Sequence, residues 1–508
     1  MNNRVWQVPL LIIVSALLGA SAAAGAERWT IGLTSTNQAI EAIAVSGRSP
    51  SAPTVLLLGG LQGKDTGVDI VLHEAEAFDA IPQARRPFRL IAVPLANPEG
   101  HPLQFPPTGT AYKENAESHV LWRWIGIHAP DLVLIAGKAD SGLAGALPQN
   151  AVAFVGRIPA QLMAPAAGML DSIKGKVAPS EAHREIDRRL GRSPQVFAEE
   201  LANVYGRDLN QPTYIQAIAL IGRLRLGQTA DVSALAEPYL NGSKDSFASP
   251  SQSSLAAHMV FFELARRTHD ERASKLVTRA ANIGFTEAGL PKEFMPLNGG
   301  WSDSVFMDIP ILAKAGILTG QRKYFDMAAR HLRYMQNIVL RTDGLYRHQA
   351  STDAAWGRGN AFPALGLALT LSDFPEDHPD YDWMLKAFQE HMKALSKFQD
   401  ENGMWREVVD YPGAYPEYSG TAMIATAMLR GIRNGWLDPN VYQPLVDKAW
   451  QAILVRTSSD GRVLDVAEST GTRGLTFTDY LRRAAILDRD ARAGGFAMFF
   501  ATEIAGLQ

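Results

Sequence analysis

A chain of 508 residues, 46% hydrophobic and 20% charged, has the make-up of a well-cored globular protein and is too long for one ordinary domain. Its formal net charge of −3 gives no electrostatic basis for nucleic acid or acidic lipid as a partner. With no cysteine, disulfides, thiolate metal sites and cysteine nucleophiles are excluded, and core packing must stabilise the fold.

The N-terminus reads as a signal peptide over residues 1–26. Arg4 supplies the positive region, Val8 to Leu18 the apolar core, and Ala24-Gly25-Ala26 the small-residue cleavage site. The apolar run is short for a bilayer, and no later segment is long and apolar enough to span one. An exported chain, periplasmic or extracellular, is expected, with no membrane span once mature.

Residues 28–195 read as an α/β domain. Thr54 to Gly60, Leu90 to Pro94 and Leu132 to Ala136 are short apolar runs, with a helical stretch from Ala116 to Gly126 between the last two. Such alternation predicts a mostly parallel sheet with covered faces, whose ligands sit at the carboxyl ends of strands. Those ends are Gly59-Gly60-Leu61-Gln62-Gly63-Lys64-Asp65 and Asn97-Pro98-Glu99-Gly100. Here the segment resembles a zinc carboxypeptidase-like domain. Gln62 and Asp65 hold the place of the family's His-x-x-Glu, and Asn97 to Gly100 that of its Asn-Pro-Asp-Gly turn. The third ligand would fall near Ala136-Gly137-Lys138, where no histidine stands. Such a set cannot close a zinc shell, so the resemblance implies a scaffold or glycan-contacting module without metal.

Residues 196–508 repeat. Tyr214 to Leu226, Leu255 to Arg267, Val305 to Leu318, Ala361 to Leu371, Ala422 to Ile432 and Phe496 to Gly506 are apolar nearly all round. Charged amphipathic stretches alternate with them: Tyr324 to Met335, Tyr381 to Phe398 and Tyr442 to Val455. Asp343-Gly344, Asn402-Gly403 and Asp460-Gly461 mark turns at steps of 59 and 58 residues, the sign of stacked helical units. A helix apolar on every side must be buried on every side, and an amphipathic one covers it from outside. The pattern predicts an (α/α)6 barrel, with the loops before the inner helices gathered at one end. Asp303, Trp356, Arg358, Asn360 and Glu417 all fall in those loops.

Asp303 has two compatible readings. It is placed to cap the helix that follows. Lying between Trp301 and Phe306, its carboxyl would also be desolvated and suited to donating a proton. Trp356 and Arg358 offer an aromatic face for a sugar and a guanidinium for a carboxylate, or a glycine-rich loop with an internal ion pair. His348 is a ligand-facing or a surface histidine, and Glu417 could simply cap its helix.

Together these motifs resemble the unsaturated glucuronyl and rhamnogalacturonyl hydrolases, glycoside hydrolase families 88 and 105. The matching residues are Trp301-Ser302-Asp303-Ser304-Val305-Phe306-Met307, Gly344-Leu345-Tyr346-Arg347-His348, Trp356-Gly357-Arg358-Gly359-Asn360, Glu417 to Met423, and Arg433 to Leu437. The resemblance implies Asp303 as general acid/base, protonating C4 of a terminal 4,5-unsaturated uronic acid and activating the water that adds at C5. It implies an oligosaccharide partner and no metal or organic cofactor. Candidate substrate contacts are Gln252, Trp301, His348, Trp356, Arg358, Asn360 and Glu417. The chain departs from the family at two points. Gln252 stands where the family has a second aspartate, and Trp405-Arg406-Glu407 where it has Trp-His-Gln. A polysaccharide lyase using Tyr346, His348 and Arg358, and a carbohydrate-binding pseudoenzyme, are the rival expectations.

Overall fold

The computed structural model describes residues 25–173, 177–470 and 475–507. The expected signal sequence lies outside the described residues but for Gly25 and Ala26. No described helix is long and apolar enough to cross a membrane.

The first unit is a six-stranded sheet: β1 (Glu27–Leu33), β2 (Ala39–Val45), β3 (Thr54–Leu58), β4 (Arg89–Val93), β5 (Leu132–Ala136) and β6 (Ala160–Met163), in the order β1-β2-β4-β3-β5-β6. β3 pairs in parallel with β4 and β5, and β5 with β6. β1 and β2, in contrast, pair antiparallel, and β2 is antiparallel to β4. The sheet is therefore mixed: three of its five pairings are parallel, and β2 alone runs against the rest. Only a short turn separates β1 from β2, and a turn of that length forces the second strand back along the first.

The two faces are covered differently. The Thr66–Asp79 helix buries one side, with Val71, Ala75 and Phe78 in a core shared with Val55, Leu57 and Leu90. The Ala116–His128 helix is buried nearly all round. It lies in a core that includes Tyr415, Ala467 and Ala485 of the second unit as well as Leu56 and Ile91 of the sheet.

The second unit is a closed ring of helices. Among the described residues, Tyr214–Arg225 contacts the pair Gln252–Ala257 and Met259–Thr268, and that pair contacts Ser304–Thr319. Contacts then run through Gly357–Leu371, Tyr418–Arg433 and Ala491–Ile504 back to Tyr214–Arg225. Six helices cover this ring from outside: Pro194–Ala202, Thr229–Leu240, Glu271–Asn282, Lys323–Val339, Tyr381–Leu395 and Pro439–Val455. Pro194–Ala202 lies against Ala491–Ile504, so an early helix covers the last inner one. Gly344, Gly403 and Gly461 all take φ near +85° in their turns, a conformation that favours glycine.

One inner helix is broken where a continuous one was expected. His258 Nδ1 takes the Ser254 carbonyl at 2.7 Å, and the His258 N–H turns to Leu255 O instead. The helix tightens by one turn and restarts.

At the centre of the ring Tyr214, Phe306, Phe362 and Phe496 meet ring against ring at centroid distances of 5.5 to 6.2 Å. This aromatic plug separates the two ends of the barrel. The two units are joined by a buried polar knot. Asp465 accepts from Tyr112 Oη at 2.7 Å and from Arg123 at 3.1 Å, with Arg456 at 3.5 Å, while Tyr112 stacks on Tyr415 at 4.4 Å.

Candidate active site

Short backbone bridges hold the loops at the amino ends of the inner helices. Trp301 pairs with Gln349, Trp356 with Val408, and Arg406 with Pro416. Ser302 N–H donates to His348 O at 2.9 Å, which fixes the Asp303 loop against the His348 loop.

Asp303 and Glu417 occupy the same position relative to their helices and use it differently. Glu417 caps Tyr418–Arg433 with its carboxylate, accepting from the Ser419 and Gly420 N–H groups, and takes the Ala467 N–H at 3.1 Å besides. It has no exposed surface. Asp303 stands at the N-cap of Ser304–Thr319 but its side chain makes no capping bond. Its Oδ2 lies 3.3 Å from His348 Nε2, and neither atom has another partner among the described residues. The Asp303 side chain keeps 18% exposure. The carboxyl is thus held in place by its loop while remaining chemically uncommitted.

His348 is oriented from behind. Its Nδ1 lies 2.6 Å from Tyr480 Oη. The Gln349 amide donates to that same phenol oxygen at 3.4 Å, which leaves the phenol proton for Nδ1. Burial raises the Tyr480 pKa, so the phenol keeps its proton. The network then puts the imidazole proton on Nε2, facing Asp303. The ring lies nearly parallel to half-buried Trp301 at 6.1 Å and edge-on to Trp356 at 4.6 Å.

Trp356 is buried between His348 and the Arg358 guanidinium, which lies 4.7 Å above its ring. Its indole N–H donates to Glu407 Oε1 at 3.0 Å. Arg358 spends its donors on Ser419 Oγ, Ala467 O and Glu468 O, at 2.9 to 3.2 Å, and lies 3.6 Å from Glu417. Asn360 is consumed by backbone: it accepts from Tyr346 N–H and donates to Tyr346 O and Trp356 O, at 2.8 to 3.0 Å. The structure therefore brings Asp303, Trp301, His348, Trp356 and Arg358 together, with Glu417 and Asn360 behind them as fully engaged supports.

Gln252 opens its own inner helix and donates through Nε2 to Asp308 Oδ2 at 3.1 Å. Asp308 Oδ2 also accepts from the Ser304 hydroxyl. His331 Nε2 lies 2.8 Å from that hydroxyl and 3.1 Å from the carboxylate. His331 Nδ1 accepts the Met295 N–H at 3.2 Å, which puts the ring proton on Nε2.

Asp308 and Tyr480 were not singled out from sequence, and Glu407 only as part of the Trp405-Arg406-Glu407 departure from the family pattern. A carboxylate inside an otherwise apolar run was the available signal for Asp308. For Tyr480 it was the Thr476-x-x-Asp479 capping box that opens its short helix. Glu407 is buried, and burial first, then repulsion from Glu417, pushes its pKa well above the glutamate range. The shift favours the protonated form, which has the shape of the glutamine in the family pattern.

In the first unit, Gln62 is exposed and Asp65 caps the Thr66–Asp79 helix, accepting the Gly67 N–H at 2.8 Å. Among the described residues, Glu99, His101 and Glu117 form the one group close enough to share a cation. Ser35 bonds both carboxylates and Thr36 adds two donors to Glu99. Burial works to raise the Glu99 pKa, but these hydroxyl and N–H donors bring it to about 2. The cluster is a satisfied loop anchor.

Residues 228–508 match Glycosyl Hydrolase Family 88. The chain is 30% identical over 181 residues to an unsaturated 3S-rhamnoglycuronyl hydrolase of Formosa agariphila, covering 32% of this chain and 48% of that protein. It is 28% identical over 178 residues to the unsaturated rhamnogalacturonyl hydrolase YesR of Bacillus subtilis, covering 34% and 50%. The chain thus spans about half the length of the curated relatives it matches. A family 88 glycosyl hydrolase structure from Bacteroides vulgatus superposes with a TM-score of 0.52 at 17% identity, over 64% of this chain and 99% of that one; this likeness concerns the fold alone. Since the matched segment is more than half of the 508 residues, the chain belongs to glycosyl hydrolase family 88.

Proposed function

We propose that the protein is a glycoside hydrolase that hydrates the C4=C5 double bond of an unsaturated uronic acid at the end of an oligosaccharide released by a lyase. The observation that carries this reading is the Asp303 carboxyl, which forgoes its helix cap and faces His348 Nε2 with an oxygen free. Asp303 in its acid form gives its proton to C4. The resulting carboxylate then takes a proton from the water whose oxygen adds at C5, so the side chain ends as it began and one water is consumed. The hemiketal formed at C5 opens, and the glycosidic bond breaks. This route differs from the two-carboxylate displacement at an anomeric carbon.

His348 holds its Nε2 proton toward Asp303 and steadies the carboxylate between the two transfers. Half-buried Trp301 supplies the stacking face for the sugar. Trp356, Arg358, Asn360 and Glu417 build the wall behind it. The Gln252 amide, held by Asp308, contacts a sugar hydroxyl. Membership of family 88 and the names of the curated relatives support a uronyl substrate. The lyase alternative, which needs a tyrosine or histidine base, is less well supported on the tyrosine side, because the Tyr346 hydroxyl is buried and accepts from Gln336 at 3.2 Å. The Arg4, Val8 to Leu18 and Ala24 to Ala26 pattern supports export, which amino-terminal sequencing of the secreted chain would check.

The test is ultraviolet absorbance with lyase-digested acidic polysaccharide. A hydrolase removes the absorbance of the conjugated double bond. A rise would indicate a lyase, and no change would leave only a binder.

A further inference from the structure

The opposite end of the barrel holds a cavity of about 550 Å³, walled by the carboxyl-terminal ends of the inner helices. It lies on the other side of the aromatic plug from Asp303. Lys314 on its wall is eleven residues further along the same helix, about 16 Å along the axis. Its floor is apolar, with Ile218, Ile221, Met259 and Leu369, and its rim is charged.

The charge is unbalanced. Five cationic side chains line the cavity (Arg225, Arg266, Lys314, Arg430 and Arg433) against three carboxylates (Glu263, Asp373 and Glu503). Lys314 and Asp373 satisfy each other at 2.7 Å. Three guanidiniums, however, share Glu503: Arg225 at 2.9 Å, Arg430 at 3.0 Å and Arg433 at 3.7 Å. Arg430 keeps a buried Nε–H without a partner among the described residues.

Helix dipoles explain some of these residues, since cations are favoured at carboxyl ends. Arg433 does bond the last carbonyls of Ala491–Ile504. Arg225 and Arg430 also stand in the last turns of their helices, but helix carbonyls are not what their side chains bond. They direct their donors at Glu503 and at the Thr502 and Ser372 hydroxyls. Burial lowers the Arg225 pKa, and Arg430 beside it adds to the effect while Glu503 offsets it. A partly enclosed site with more guanidinium than carboxylate is stabilised by an anion whose oxygens take up the spare donors.

We propose that this cavity is a second ligand site, separate from the Asp303 mouth, that binds a small carboxylate- or sulfate-bearing molecule. Such a ligand sets its oxyanion against Arg430, Arg225 and Arg266 and its less polar side on the Ile218 and Met259 floor.

The test is isothermal titration of the full chain with sodium sulfate and with sodium D-glucuronate at ionic strength held constant with sodium chloride. Glucose serves as the neutral control. The expected result is saturable one-to-one binding of an oxyanion and none of glucose. Sulfate as the tighter ligand identifies a sulfated molecule, and glucuronate as the tighter ligand a uronate. Arg430→Gln should weaken binding at least tenfold, and Asp303→Asn should leave it intact. Arg266→Glu is the second variant. Its side chain is exposed with the guanidinium 5.8 Å from the Phe262 ring, so it tests the charge even if Arg430→Gln fails to fold. No saturable binding, equal binding of glucose, or binding untouched by Arg430→Gln and Arg266→Glu would overturn the proposal. So would oxyanion binding that Asp303→Asn abolishes, since that would assign it to the mouth.

Discussion

The Gln252 amide donates to Asp308 Oδ2 at 3.1 Å, on the same oxygen that takes the Ser304 hydroxyl. A carboxylate accepts and never donates when ionised, so this contact fixes which end of the amide faces inward and turns its oxygen away from Asp308. The family's second aspartate is absent at position 252, and the nearest carboxylate stands behind the glutamine on the helix that carries Asp303. Asp308→Ala would leave the Gln252 amide and the Ser304 hydroxyl short of their acceptor, while His331 Nε2–H keeps the Ser304 oxygen at 2.8 Å. At about 1–3 kcal/mol for each buried group left unpaired, denaturant unfolding should show a loss of at least about 2 kcal/mol. On the proposed role of Gln252 as a sugar contact that moves no proton, Gln252→Ala should raise KM more than it lowers kcat.

Tyr480→Phe removes the phenol proton that occupies His348 Nδ1. The imidazole could then carry its proton on either nitrogen, and the arrangement facing Asp303 would be populated only part of the time. One hydrogen bond of about 1–1.5 kcal/mol corresponds to about a tenfold fall in kcat. Steady-state kinetics should show that fall with thermal stability little changed.

Glu407 makes stability depend on pH in a calculable direction. Its folded pKa is raised, by burial and then by Glu417, so the folded chain binds the proton more tightly than the unfolded chain does. The contribution is therefore present at low pH and is lost as pH rises from the ordinary value near 4.5 toward the raised one. Glu407→Gln keeps an oxygen for the Trp356 indole and removes the titration. Melting temperatures of this variant should decline less between pH 5 and pH 8 than those of the parent, measured by calorimetry in matched buffers.

Asp465 neutralises Arg123 of the first unit and Arg456 of the second inside a buried contact. Asp465→Asn would leave two guanidiniums without their counter-charge. Breaking one side of a buried ion pair costs about 3–5 kcal/mol, and a loss of that size is expected in urea unfolding. The backbone at 465 has φ +66°, which asparagine tolerates, so the loss would report on charge and not on strain.

The inner helices were legible because their apolar character has no polar face, which leaves burial on all sides as the stable solution. The three turn glycines gave the period, and β3, β4 and β5 were legible as unbroken apolar runs. β1, β2 and β6 were not. β1 and β6 are only partly buried, so they lack that run, and β2 forms half of a hairpin. The break at His258 was hidden because a histidine taking its own i−4 carbonyl leaves no pattern in sequence. At the mouth, sequence brought out the motif residues but not their division of labour. Asp303 and Glu417 look alike as carboxylates before helices, and only the geometry separates the cap that is made from the one that is not. Tyr480 lies 132 residues from the histidine it orients, a distance over which one sequence carries no signal.

The most direct measurement is the loss of ultraviolet absorbance from lyase-digested acidic polysaccharide, comparing the parent chain with Asp303→Asn. The substitution keeps the shape and the loop while removing the transferable proton, and positioned acid–base catalysis is worth about 10²–10⁴-fold. The expected outcome is a fall in kcat of about that size with the melting temperature preserved. An Asp303→Asn protein that removes the double bond at the parent rate would contradict the account.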